Sequence, residues 1–336
     1  MPARPVMRRS ASLCSRRGFL VAMSAMVGAG LAACSGDASH SPPEPSGDRD
    51  QESPRAQAPD LAVLEATLTR TRDLITAGPT DRDDELTRSV LAIRTALVTQ
   101  EGVLTTMVQV GGGQDGDQGS TSTSPPFDEA ATTSDTGRRF DPEEWADALA
   151  RSSLEEEIQD ELSEVTGPNL PTLMSLHGQR VAAARLLGAS STSVSVRGPS
   201  GAGAITVLAG LRQAAYGLEV LAARSSADER ETYRDALSAL RGPTRRLTEL
   251  AGGAAPAPPL GYGLPEALST RRERRDTAQL LFLALSQSII AGSSARASDD
   301  DAIAGTVALM ALSVQVGFSF AVPMAGFPGL DVPKAR

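Results

Sequence analysis

Apolar residues recur three or four positions apart in stretch after stretch of this chain, and strand-like alternation is almost absent. Spacing close to one helical turn puts those residues on one side of a helix and leaves the other side polar. Leu61, Leu64, Leu68 and Ile75 make the first such stripe, with Asp60 as its cap and Gly78-Pro79 as its stop. Leu86, Val90, Ile93, Leu97, Leu104 and Met107 make a longer second one. Asp141-Pro142-Glu143-Glu144 has a cap, a proline at the first helical position and a Glu three after the cap. It opens a third helix through Trp145, Leu149, Leu154, Ile158, Leu162 and Val165, ended by Gly167-Pro168. A fourth runs from Pro171 to about Leu187 and carries Leu173, His177, Val181 and Ala184 on one face.

Four more helices fill the last third. The first is lined by Ala204, Leu208, Leu211, Ala215, Leu218 and Ala222. The next is lined by Tyr233, Leu237, Leu240, Leu247 and Leu250, with Gly242-Pro243 predicting a kink or a break. A proline-rich crossing over 251–265 leads to a helix over roughly 272–291, and a last one runs from about Asp300 to Ala321. No charge stands between Asp301 and Asp331, and 302–321 is long enough to span a bilayer. Thr306, Ser313, Gln315 and Ser319 favour a helix buried on all sides over a membrane span. The fold class expected is therefore all-α.

Between the helices lie stretches that cannot bury a core. Residues 34–59 are rich in Pro, Ser, Gly and charge and read as a disordered tether. Residues 111–139 interrupt the helical region 60–188 as a low-complexity insert, and 189–201 form a Ser- and Gly-rich linker before the helical region 202–330. The insert's glycine run lacks a following Gly-Lys-Ser/Thr and a preceding strand, so it is no phosphate loop.

The amino terminus speaks to location. Residues 1–33 carry five arginines and no acid, and the uncharged run from Gly18 ends in Leu31-Ala-Ala-Cys34. Such a run is too short for a permanent span and has the layout of a signal peptide. Arg16-Arg17 before Gly-Phe-Leu resembles a twin-arginine export signal, and Leu-Ala-Ala-Cys resembles the lipobox cleaved before a diacylglycerol-modified cysteine. The expectation is a protein on the outer face of the cytoplasmic membrane, held through lipid on Cys34. Cys14 leaves with the signal, so no internal disulfide forms and packing must supply the stability. Losing five arginines takes the net charge from -9 to -14, which disfavours a nucleic-acid partner. Lys334 is the sole lysine, and the Arg and Ala bias points to a GC-rich genome such as an actinobacterium's.

Little in the mature chain is marked for chemistry. Its histidines are His40, in the tether, and His177. Met174 stands three before His177, so the Glu-x-x-His pairs of a di-iron bundle are missing, and no cofactor is expected. There is no Gly-x-Ser-x-Gly elbow for a Ser-His-acid arrangement. His177 is read as a hydrogen-bonded core or groove residue. Tyr216, Tyr233 and Tyr262 are the only tyrosines and are candidates for lining a pocket with it. The acids at 155–157 read as a solvated face and those at 299–301 as a helix cap. Arg271-Arg-Glu-Arg-Arg275 sits at a helix's positive end, where cations are ill placed, so a pairing or functional reason is expected.

Ala214-Ala-Tyr-Gly217, the crossing Ala255–Pro265 and Phe327-Pro-Gly-Leu330 resemble, in order and spacing, the ferritin-like domain of uncharacterised actinobacterial secreted proteins and lipoproteins. The resemblance covers about 202–330. It implies a ferritin-like four-helix bundle there, with the N-terminal helices as a second bundle or an extension. Where members often carry Glu-His before the Tyr-Gly, this chain has Ala209-Gly210, so no metal or acid–base role is carried over. Two classes of function follow: a non-catalytic envelope scaffold binding a protein, glycan or lipid, and a ferritin-like metal protein or oxidoreductase with a non-standard carboxylate site.

Overall fold

The computed structural model describes residues 58–79, 87–112, 140–165, 167, 169–189, 198–265, 267–293 and 300–331. Arg16, Arg17, Cys34, the tether up to residue 57, most of the insert and residues 190–197 of the linker lie outside the described residues. Among the described residues the chain is all-helical, with no strand: α1 (Ala58–Ala77), α2 (Thr87–Gly112), α3 (Pro142–Leu154), α4 (Glu156–Ser163), α5 (Leu170–Leu186), α6 (Gly201–Arg224), α7 (Ala227–Ala251), α8 (Arg271–Ser293) and α9 (Asp300–Ser319).

Local chemistry sets several boundaries. Asp141 accepts from the Glu144 amide at 2.8 Å while its own amide donates to the Glu144 carboxylate at 3.3 Å, closing the reciprocal cap before α3. Asp60, expected as a cap, instead lies in the first turn of α1, where a carboxylate suits the helix dipole, and accepts from Asn169 at 2.9 Å. The third helix expected from the sequence is two helices. Glu155 adopts an extended backbone between α3 and α4. The stripe then changes target: Trp145 and Leu149 pack with Ile93 and Leu97, whereas Leu162 packs with Leu104 and Leu173. Conversely, α7 runs on through Pro243 without the break that Gly242-Pro243 suggested.

Three apolar clusters make the interior. One belongs to α6–α9; the other two join α1–α5 to α9 and to the segment that follows it. α9 is the shared wall: Leu309 and Met310 face the first cluster, and Ile303, Val307 and Ala311 face the second. Helices from both sequence halves thus share a core. By length and composition α9 would also cross a membrane, yet here its middle turns, Ile303 to Ala311, are mostly buried by protein. Burying a Leu or Ile in this way contributes roughly 1.5–3 kcal/mol per side chain, so α9 ties the clusters together through apolar contact.

Glycine sets how closely the helices approach. Gly203, Gly210 and Gly217 are seven residues apart on α6 and meet Gly292, Ser288 and Leu281 of α8 in reverse order. A Cβ on any of the three would overlap α8. Two turns of α-helix separate such positions, so they form a straight seam. Gly178 plays the same part between α5 and α9, where a Cβ would lie 2.6 Å from the Met310 side chain.

Candidate functional site

α5 is buried on every side from Leu173 to Ala184, and three strongly polar side chains stand inside that stretch: His177, Gln179 and Arg180. α3, α9 and α2 all pack against α5. A helix walled in this way must find partners for its polar groups in the interior.

Arg180 reaches across to both N-terminal helices. Its Nε donates to Gln100 Oε1 on α2 at 3.1 Å, and its Nη2 donates to the Thr71 hydroxyl on α1. Gln100 in turn donates through Nε2 to Gln179 Oε1 at 2.8 Å and to the Gly326 carbonyl at 2.9 Å. Thr71, Gln100, Gln179 and Arg180 are each 0 % exposed. No carboxylate contacts Arg180 among the described residues, and its Nη1 has no hydrogen-bond partner. Burial and then the nearby Arg70 charge push the Arg180 pKa down to about 9. Arg70 itself pairs with Glu161 of α4.

One turn earlier, His177 Nδ1 is 3.1 Å from the Ser153 hydroxyl at the end of α3, and the imidazole is 1 % exposed. Desolvation, then the charges of Arg180 and Arg70, hold its pKa well below the ordinary value, so it is neutral at pH 7. Ser175, on the same helix, donates to the Pro328 carbonyl at 2.7 Å and ties the segment after α9 to α5.

The tyrosines lie elsewhere. Tyr216 and Tyr262 meet with ring centroids 5.6 Å apart, joining α6 to the proline-rich crossing. Tyr233 stacks on Phe320 at 5.2 Å, and Phe320 on Phe282 at 5.6 Å, inside the α6–α9 core. Of the four residues named from the sequence, the structure therefore brings Tyr216 and Tyr262 together, sets Tyr233 in the α6–α9 core, and sets His177 beside Arg180. Within the basic cluster that opens α8, Arg274 is bound by Glu229 of α7 through two contacts of 3.0 and 2.6 Å. A cavity of about 120 Å³ lies between α8, α9 and the closing segment, lined by Phe282, Ser286, Ser313, Phe327 and Leu330 among others. Ser286 and Ser313 hydrogen-bond each other at 3.0 Å on its wall.

Among the described residues no group of three or more His, Cys, Asp or Glu side chains is arranged to hold a metal ion. The acids at 155–157 are exposed, as a solvated face should be. No family model, curated protein or solved structure matches the chain.

Sequence reasoning missed the Arg180 centre. A signal for it existed: Arg180 stands one turn after His177, on a helix whose Leu173, Leu176, Val181 and Ala184 already mark it as apolar.

Proposed function

We propose that the chain is an exported lipoprotein, anchored through diacylglycerol on Cys34 to the outer face of the cytoplasmic membrane. Its helical body is a non-catalytic scaffold or binding protein of the cell envelope, with a protein, glycan or lipid partner. The observation that carries the reading is Leu31-Ala-Ala-Cys34 at the end of an uncharged run before which every charge is an arginine. Arg16-Arg17 supports export by the twin-arginine route, which moves proteins already folded. A helical body beginning at Ala58, after a Pro- and Ser-rich stretch, suits a domain held off a membrane by a tether. His177, the one histidine among the described residues, is neutral, buried and hydrogen-bonded, which suits packing rather than acid–base work.

A second reading, a ferritin-like metal protein or oxidoreductase using carboxylates alone, is favoured by one observation: α6, α7, α8 and α9 share a core, as the resemblance over 202–330 implies. Elemental analysis of protein purified without chelators separates the two, since stoichiometric iron, manganese or zinc would displace the scaffold reading.

The anchor has its own test. Cys34→Ala is expected to block lipid labelling and leave an uncleaved precursor or a released protein in cell fractions. A Cys34→Ala protein that is processed and membrane-bound like the wild type would overturn the proposal.

A further inference from the structure

The structure leaves five buried side-chain polar atoms without partners among the described residues. Three are nitrogens that only donate: Arg70 Nε, Gln179 Nε2 and Arg180 Nη1. A fourth, the Thr67 hydroxyl, can donate. The fifth is Gln159 Oε1, an acceptor on α4 whose own amide is engaged with the Ser153 carbonyl at 2.9 Å.

Thr67 is unlike its neighbours. Thr69, Thr71 and Thr76 of the same helix each donate to the carbonyl four residues earlier, whereas Thr67 does not. Thr67 is 0 % exposed, and its hydroxyl makes no hydrogen bond among the described residues. Thr67, Arg70 and Thr71 stand at i, i+3 and i+4, on one face of α1. That face meets α5 where Arg180 binds Thr71. Gln100 links Arg180 to Gln179 from α2. The surplus of donors is therefore gathered on three adjoining helices.

Charge bookkeeping makes the surplus specific. Arg70 is balanced by Glu161, and His177 is neutral beside Ser153. Arg180 is balanced by nothing among the described residues, so the centre holds one uncompensated positive charge. A buried charge of this kind is retained only where something answers it.

We infer that the donor cluster of Thr67, Gln179 and Arg180, between α1, α2 and α5, is a binding site for one small monovalent anion. The ligand class is a halide or a single carboxylate. A divalent anion would exchange an excess positive charge for an excess negative one. The site has no solvent face, so the ion is a long-lived structural ligand that ties α1 and α2 to α5. The inference does not depend on the lipid anchor or on the scaffold reading.

The full chain in detergent is melted at constant ionic strength while gluconate is replaced stepwise by chloride, bromide, formate, acetate or sulfate. A saturable rise in Tm of about 4 °C or more is expected with a halide or with formate, and none with sulfate. Response to halides identifies an inorganic ion; response to formate and acetate alone identifies the carboxylate of an organic ligand. Gln179→Glu supplies a carboxylate from the chain and is expected to raise Tm in gluconate while abolishing the response. Thr67→Val keeps the fold-bearing contacts and is expected to weaken the apparent affinity at least about fivefold, as loss of one hydrogen bond would. Bromide-soaked crystals are expected to show an anomalous peak within hydrogen-bonding distance of Arg180 Nη1. Identical melting in every salt, or a response unchanged in both variants, overturns the inference.

Discussion

Arg274 and Arg180 are both buried arginines in the helical interior of one body, and they are held in opposite ways. Arg274 opens α8 and spends every nitrogen. Nε and Nη2 reach the two oxygens of Glu229, and Nη1 reaches the carbonyls of Leu268 at 3.2 Å and Ser269 at 3.0 Å. Tyr233 adds a hydroxyl donor to the same carboxylate at 3.2 Å. Charge and hydrogen bonds are both satisfied, so each partner favours the ionised form of the other. The Arg274 contact holds the Glu229 pKa below the usual carboxylate range, and the carboxylate raises that of Arg274. Arg180 has a carboxamide and a hydroxyl where Arg274 has a carboxylate, and its pKa moves down instead. Burial alone does not decide what an arginine contributes; the charge that answers it does.

The largest expected effect breaks the satisfied site. Glu229→Ala strands Arg274 and is expected to cost about 3 kcal/mol, read as a lower urea midpoint at unchanged slope. Arg274→Met removes the other half and should cost a comparable amount. Arg180→Met is expected to cost at least about 2 kcal/mol less than Arg274→Met in anion-free buffer, because it removes an unanswered charge from the interior. Equal losses for the two arginines would erase the contrast between the sites.

That contrast was only half legible in the sequence. Local signals read well: the cap at Asp141 and Glu144 is complete within four residues. Of the stripes, Leu64, Leu68, Val90, Ile93, Leu97, Leu104, Leu173, His177, Val181 and Ala184 are buried, whereas Leu61, Ile75 and Met107 are half-buried and Leu86 lies outside the described residues. The misplacement of Arg271–Arg275 at a helix start pointed to a pairing or functional reason, and for Arg274 Glu229 supplies a pairing from 45 residues away. The identity of that partner was invisible, since it depends on how α7 folds back on α8. The same holds more strongly for Arg180, whose partner Thr71 is 109 residues distant and ordinary in its own helix. The break at Glu155 was hidden because Leu154, Ile158 and Leu162 keep helical spacing across it. The seam of Gly203, Gly210 and Gly217 was missed for a different reason. A stripe count looks for apolar bulk, and here close packing is achieved by its removal.

A smaller effect sharpens the N-terminal side. His177 has a depressed pKa in the folded protein, while the unfolded chain titrates near 6.5. As pH falls below about 6.5 the unfolded state takes up a proton that the folded state refuses. Stability is therefore complete above that pH and declines below it by up to about 1.4 kcal/mol per pH unit. His177→Gln should remove this slope between pH 5 and 6.5 in urea titrations while leaving a hydrogen-bonding group for Ser153. An unchanged slope would mean that the folded protein also accepts the proton, and that the neighbouring arginines do not repel it.

The smallest effect belongs to the satisfied site and has the reverse sign in pH. The Tyr233 pKa is raised to about 12, first by burial and then by the Glu229 charge that its hydroxyl faces. The unfolded tyrosine ionises near 10, so the stabilisation is whole below that pH and is lost as pH rises toward about 12. Tyr233→Phe keeps the ring against Phe320 and deletes only the hydroxyl. At pH 7 it is expected to cost about 1 kcal/mol, the usual worth of one buried hydrogen bond. Above pH 10 the gap between variant and wild type should shrink, because only the wild type still has a proton to lose. Taking the difference between the two proteins cancels every other group that titrates there, Arg180 included. If the gap stays constant from pH 9 to 11.5, the folded protein does not hold the hydroxyl proton more tightly than the unfolded chain, and neither burial nor Glu229 raises its pKa. The Arg274 site would then be held by its ion pair and its two backbone carbonyls without help from Tyr233.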